Sequence, residues 1–147
     1  MYEIRPWLHV GGFRDSMDEE QLALYEIDVV LQLAATLPSP QRRTLLLSVE
    51  DGEPIAQALL RRGVDFVQEA HREGKVCLVA CGAGISRSVA FAVAALREIE
   101  GLGLIEAAVE VKRGNPDAVF HPVLWESLAE FAGEDVPFRV ALPRIDP

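Results

Sequence analysis

Short apolar runs and helical stripes take turns along this chain. "DVVLQLAAT" (28–36), "RTLLLSVED" (43–51) and "KVCLVA" (75–80) are runs of strand length bounded by turn residues, as expected of strands buried on both faces. The first stops at the Pro38-Ser39-Pro40 punctuation and the second at Glu50-Asp51-Gly52-Glu53-Pro54. "EIRPWLHVGG" (3–12) reads as a strand entering a Gly-Gly turn. Ser16 followed by Glu19 has the spacing of a capping box, which predicts a short helix over "SMDEEQLALYEI" (16–27).

From Pro54 the period becomes helical. Ile55, Leu59, Phe66, Val67 and Ala70 share one face with Gly63, and Pro54 suits a first helical turn, where its missing N–H is not needed. Gly63 either permits close packing or divides the helix. A second helix follows the loop after "KVCLVA" and runs to about Glu100. "LIEAAVEVKRG" (104–114) is amphipathic and ends at Asn115-Pro116, while "HPVLWESLAEFAG" (121–133) is a last helix closed by Gly133. The remaining "EDVPFRVALPRIDP" (134–147) reads as an irregular tail. Strands alternating with helices predict an α/β domain with a central, mostly parallel sheet flanked by helices.

At 147 residues the chain suits one domain over 1–147, burying roughly two-thirds of its unfolded surface. A net charge of −9 argues against nucleic acid as a partner, yet leaves room for a local positive site. No signal pattern or membrane span is visible, so a cytoplasmic protein is expected, without a membrane partner. The only cysteines are Cys77 and Cys81. Four residues of strand separate them by roughly 13 Å, beyond the roughly 7 Å that a disulfide tolerates.

The most informative stretch is Cys81-Gly82-Ala83-Gly84-Ile85-Ser86-Arg87-Ser88, between the strand "KVCLVA" and its following helix. Ligands of open α/β sheets sit beyond the carboxyl ends of strands, where Cys81 lies. Gly82 and Gly84 let successive N–H groups turn inward as an anion nest. The helix behind them points its positive end at the same spot. Arg87 can swing back from the first helical turn, and its planar fork fits two phosphate oxygens. The loop is a cradle for one phosphate, with a thiol at its floor. A cation and a helix N-terminus lower a thiol pKa from about 8.5 to roughly 3.5–7.5, so one device binds the anion and favours the nucleophile. Attack on phosphorus gives a cysteinyl-phosphate that water resolves. Asp51, in a glycine-containing loop after a separate strand, is the candidate acid and base, with Glu50 and Glu53 behind it. Ser88 can donate a hydrogen bond to the sulfur.

Cys81-x5-Arg87-Ser88 resembles the signature of cysteine-based protein tyrosine phosphatases, and "AGISRS" (83–88) resembles the dual-specificity branch. The resemblance extends through "PWLHVGG" (6–12), "SVED" (48–51) and "EAAVEVKRGNP" (106–116). It implies a cysteine-phosphatase fold with its phosphate loop between strand and helix. It implies catalytic roles for Cys81, Arg87, Asp51 and Ser88, with the amides of Gly82, Ala83, Gly84, Ile85, Ser86 and Arg87 ringing the phosphate. No metal or cofactor is implied. The expected substrate is a phosphorylated protein or a small phosphomonoester, and a monomer is expected. The chain departs from the family at Ala80, where a histidine is usual. A slower or more pH-sensitive enzyme is expected, and a phosphate-binding pseudophosphatase or a small-molecule phosphatase is the alternative. His9, His71 and His121 lack metal-like spacing, and Trp7 and Trp125 read as core.

Overall fold

A computed structural model describes residues 1–34 and 41–147. Five strands form one sheet in the order β1-β2-β5-β3-β4: β1 (Tyr2–Arg5), β2 (Leu8–Gly11), β3 (Val29–Gln32), β4 (Arg43–Leu46) and β5 (Cys77–Ala80). Among the described residues the β1–β2 pair alone is antiparallel, so the sheet is mostly parallel as expected.

The segment read as one strand entering a Gly-Gly turn is instead a hairpin. Pro6 and Trp7 make its turn, and Tyr2 faces Val10 across it. Proline locks its own φ and lacks a donor for the ladder, which favours a turn there. The strand predicted over 43–51 is regular only to Leu46, on the sheet's exposed edge. Its pairing with β3 persists as Leu47 N donates to the Gln32 carbonyl and Val49 N to that of Leu33. Pro38 to Pro40, the predicted end of the β3 run, lie outside the described residues.

Side chains alternate across the sheet with the period of two that strands impose. Leu8, Val10, Val29, Leu31, Cys77 and Val79 enter the main core, against the helices α3 (Gln57–Arg72), α4 (Arg87–Glu100), α5 (Leu104–Gly114) and α6 (Pro122–Ala132). Val30, Leu78 and Ala80 face the other way, toward a smaller cluster with Leu22 and Ile27. That side is covered by α1 (Phe13–Met17) and α2 (Glu19–Leu24).

Ser16 does not cap a helix there. It is buried inside α1, and Asp18 caps α2 by accepting from the Gln21 amide. The chain breaks at Asp18 to lay two short helices over this face of the sheet, and both Asp and Ser satisfy the local capping pattern.

In α3 the buried stripe is Leu60, Gly63, Val64, Val67 and Ala70, with Leu59 and Phe66 only partly buried. The helix begins three residues later than Pro54, with Ala56 at its N-cap, and Ile55 is buried ahead of it. Helix α3 runs unbroken through Gly63, whose missing side chain admits the Phe91 ring of α4. Helix α4 is buried at every position from Ser88 to Leu96, because sheet and helices enclose it on all sides.

The 134–147 segment is not an irregular tail. Phe138–Ile145 forms a seventh helix, α7, which buries Ala141 and Ile145 one turn apart. Pro137 and Pro143 conceal this periodicity in the sequence, since proline inside a helix removes a hydrogen bond. Tertiary packing against α5 and α6 overrides that local cost.

Candidate active site

Strand β5 ends in the centre of the sheet, and Cys81 follows it directly. The Cys81 amide donates to the Gly11 carbonyl of β2, so the cysteine enters the loop from a backbone held by its neighbour strand. Cys81 is buried, but its sulfur has polar company. The Gly84 amide donates to Sγ at 3.3 Å, and Ser88 Oγ lies 3.2 Å from it. As a thiol, Cys81 donates to the Ser88 hydroxyl; as a thiolate, it accepts from that hydroxyl and from Gly84. Ala80 is fully buried in the smaller cluster and brings no polar atom to the sulfur.

Three carbonyls of the loop are held from outside. Gly82 O accepts from the Phe13 amide at 2.9 Å, and Ile85 O accepts from the Val119 amide at 2.7 Å. Gly84 O accepts from Asn115 Nδ2 at 3.1 Å. In a trans peptide the C=O and the following N–H point in opposite directions. Anchoring those carbonyls therefore turns the amides of Ala83, Ile85 and Ser86 away from the three anchors. Freed from the carbonyl side, those amides are available to an anion, as a nest requires.

Two glycine pairs make the close approach possible. Gly84 has φ of +78°, and a Cβ there would lie 2.6 Å from Gly11 C and 2.7 Å from Gly12 N. A Cβ on Gly12 would lie 2.9 Å from Gly82 O. The Gly11-Gly12 turn is thus the wall against which the loop is shaped, a role that its turn-like sequence did not suggest.

Arg87 opens α4 and folds back over the loop. Its Nη1 donates to the Val49 carbonyl at 2.9 Å, which aims the guanidinium from the far side. Its Nε is buried without a hydrogen-bond partner and lies 3.8 Å from Asp51 Oδ1. Asp51 is 65% exposed, on the loop that contains Gly52, and accepts from Ser86 Oγ at 3.4 Å. Ser86 occupies the N-cap position of α4, but its hydroxyl serves Asp51 rather than the helix. The structure thus pairs the four expected catalytic side chains two by two, Cys81 with Ser88 and Arg87 with Asp51. Phe13, Asn115 and Val119, which anchor the loop, were not singled out. Asn115 was visible in the sequence only as the sole asparagine and as part of the stop after the 104–114 helix.

The other cysteine of the chain, Cys77, has a packing role. Cys77 is fully buried in the main core, and burial pushes its thiol up to about 12. Both cysteines are free. Trp125 is core, with its indole N–H donating to the Val136 carbonyl. Trp7 is half-buried against His71.

A thiol at the end of a central parallel strand, under an arginine and a glycine loop, defines the class of cysteine-dependent phosphatases. Residues 8–134 match the family described as dual specificity phosphatase, catalytic domain, and the chain belongs to that family. Its activity is that of a protein tyrosine/dual-specificity phosphatase, a phosphoric monoester hydrolase. The zebrafish protein "Dual specificity protein phosphatase 22-B" is 34% identical over 141 residues, covering 93% of this chain and 77% of its own length. Among solved structures, human DUSP28 superposes with a TM-score of 0.83 at 29% identity, over 90% of this chain and 96% of that one. A mouse putative dual specificity phosphatase complexed with zinc tungstate gives a TM-score of 0.82 at 26% identity, over 90% and 86% of the two chains.

Proposed function

We propose that Cys81 is the nucleophile of this phosphatase, Arg87 its phosphate clamp, Asp51 its acid and base, and Ser88 its leaving-group assistant. The observation that carries the assignment is the buried Nε–H of Arg87, which has no hydrogen-bond partner and only a long ion pair to Asp51, beside a thiol loop whose carbonyls are anchored outward. An unsatisfied buried donor costs about 1–3 kcal/mol, more when charged. A phosphate oxygen would satisfy it.

In the first step the Cys81 thiolate attacks phosphorus and the ester P–O bond breaks. The leaving oxygen takes the proton of the Asp51 carboxylic acid. In the second step Asp51, now a carboxylate, removes a proton from the attacking water. The P–S bond breaks as the Ser88 hydroxyl donates to the departing sulfur, and inorganic phosphate leaves. Before substrate arrives, Asp51 stands beside Arg87 and Ser86. Substrate phosphate would displace it from Arg87 toward the leaving group. The amides of Gly82 to Arg87 hold the equatorial oxygens throughout. No step calls for a metal or cofactor.

The substrate is a phosphorylated protein side chain, and a small aryl phosphate would serve as its surrogate. One domain over 1–147 does this work, acting as a monomer in the cytoplasm, where reducing conditions keep Cys81 free. Among the described residues no helix is long and apolar enough to cross a membrane. The acidic surface disfavours nucleic acid.

Hydrolysis of an aryl phosphate by wild type, Cys81→Ser and Asp51→Asn tests the roles. Cys81→Ser should show no measurable turnover, and Asp51→Asn should lose about 10²–10⁴-fold in kcat. Turnover by the serine variant would overturn the mechanism. Phosphate binding without turnover by wild type would leave a binding module instead.

A further inference from the structure

The register across β2, β5 and β3 sets Gly11, Ala80 and Gln32 in one row. Side chains of such a row leave the sheet on the same face, here toward α1. Gly11 contributes no side chain and Ala80 one methyl group, so only Gln32 can cross to the helix.

Gln32 does so from a fully buried position. Its Nε2 donates to Ser16 Oγ at 2.8 Å, and its Oε1 accepts from the Ala34 amide at 2.9 Å. Ser16 Oγ in turn donates to the Phe13 carbonyl at 2.7 Å. The Phe13 amide then holds Gly82 O at 2.9 Å, which fixes the peptide whose other end is the Ala83 N–H. Three hydrogen bonds, linked through the backbone of Phe13, thus join Gln32 in the interior of the sheet to the phosphate cradle.

We propose that Gln32 and Ser16 are positioning residues for the phosphate cradle. They set the pose of the first turn of α1, and through it the orientation of the Gly82–Ala83 peptide. A buried amide stabilises little compared with an apolar side chain of equal size, and it demands partners. What the pair supplies is direction: hydrogen bonds specify where α1 sits, whereas apolar contacts would let it slide. Neither residue touches the reacting atoms. The inference rests on the phosphatase reading of the cradle.

The test uses Gln32→Leu, Ser16→Ala, the double variant and Val67→Ala, a core truncation in α3 away from the loop. Each is measured for aryl phosphate turnover, for calorimetric affinity toward orthovanadate, and for Tm. Each single network variant should lose about tenfold in kcat/KM, the factor that one net hydrogen bond supplies. Vanadate affinity should weaken in parallel, since both report cradle geometry. The double variant should lose no more than the worse single, as one line is broken either way. Val67→Ala should lower Tm while keeping turnover and vanadate affinity within twofold. If Gln32→Leu does not fold, Gln32→Met replaces it.

Network variants that lower Tm but keep vanadate affinity within twofold would overturn the proposal. So would a double variant whose loss is the product of the singles. Failure of the phosphatase reading looks different: wild type would bind vanadate without hydrolysing the ester, and the affinity comparison would still decide the role of Gln32 and Ser16.

Discussion

The side-chain amide of Asn115 donates to the carbonyl of Gly84 from a fully buried position 31 residues later in the chain. Every polar group of Asn115 is engaged. Its Oδ1 accepts from the Asp117 amide, its own N–H donates to the Val111 carbonyl, and its carbonyl accepts from the Ala118 amide. One residue therefore ends α5, shapes the turn behind it and anchors the loop.

Asn115→Ala removes the donor to Gly84 and leaves that carbonyl without its side-chain partner. The expected stability loss is about 1–3 kcal/mol. Because the freed peptide carries the Ile85 amide, kcat/KM should fall by about 10–100-fold, beyond what unfolding explains. Steady-state kinetics well below Tm check this. Unchanged kinetics in a folded variant would show that the Val119 and Phe13 anchors suffice.

Gly84→Ala and Gly74→Ala separate backbone strain from collision. Both glycines have positive φ, +78° and +70°, but a Cβ at Gly74 meets nothing within 4 Å. At Gly84 it would sit 2.6 Å from the backbone of Gly11. Gly74→Ala should cost about 1–2 kcal/mol and leave activity intact. Gly84→Ala adds a backbone clash and should abolish both turnover and vanadate binding. Activity within tenfold of wild type for Gly84→Ala would contradict the packing of the loop on the Gly11-Gly12 turn.

At Gly63 two effects oppose each other. Alanine favours helix over glycine by about 1 kcal/mol. Its Cβ would stand 2.5 Å from two ring atoms of Phe91, which is fully buried and has nowhere to retreat. Overpacking of that kind costs about 1–3 kcal/mol, so Gly63→Ala should be destabilising on balance. Urea unfolding gives the sign directly, and a gain in stability would mean that the α3–α4 contact is looser than described.

Cys77 predicts an alkaline weakness. Burial raises its thiol to about 12 in the folded protein, against about 8.5 unfolded. The folded state thus holds a proton that the unfolded state releases above about pH 8.5. Stability should fall as pH rises past that point, by up to ~1.4 kcal/mol per unit from this group until the folded value is reached. Urea curves at pH 7.5, 9 and 10 should converge less steeply for Cys77→Val than for wild type. Parallel pH dependence in the two proteins would refute the assignment.

Where the sequence spoke clearly, the interactions were local or regular. The apolar runs of β3 and β5, the close of α5 at Gly114 and the left-handed Gly133 after α6 follow from period and capping alone. The segment 81–88 already reads as a candidate anion cradle in the sequence, because its glycines, cysteine and arginine sit within one loop. Elsewhere local signals competed. Ser16 looked like a cap and proved to be an interior link. The prolines of α7 hid a helix that only packing against α5 and α6 sustains.

The primary structure by itself determined the alternating α/β order and the chemical contents of the loop, since both depend on neighbours a few residues apart. Only the folded chain decided which carbonyls are anchored, where the Arg87 guanidinium is aimed, and that Asp51 stands beside it. Those contacts join Val49, Asp51, Phe13 and Asn115 to residues 81–88 across 31 to 69 positions of sequence. No short-range period encodes such pairings; they exist because parallel strands order the sheet and bring its carboxyl ends to one side.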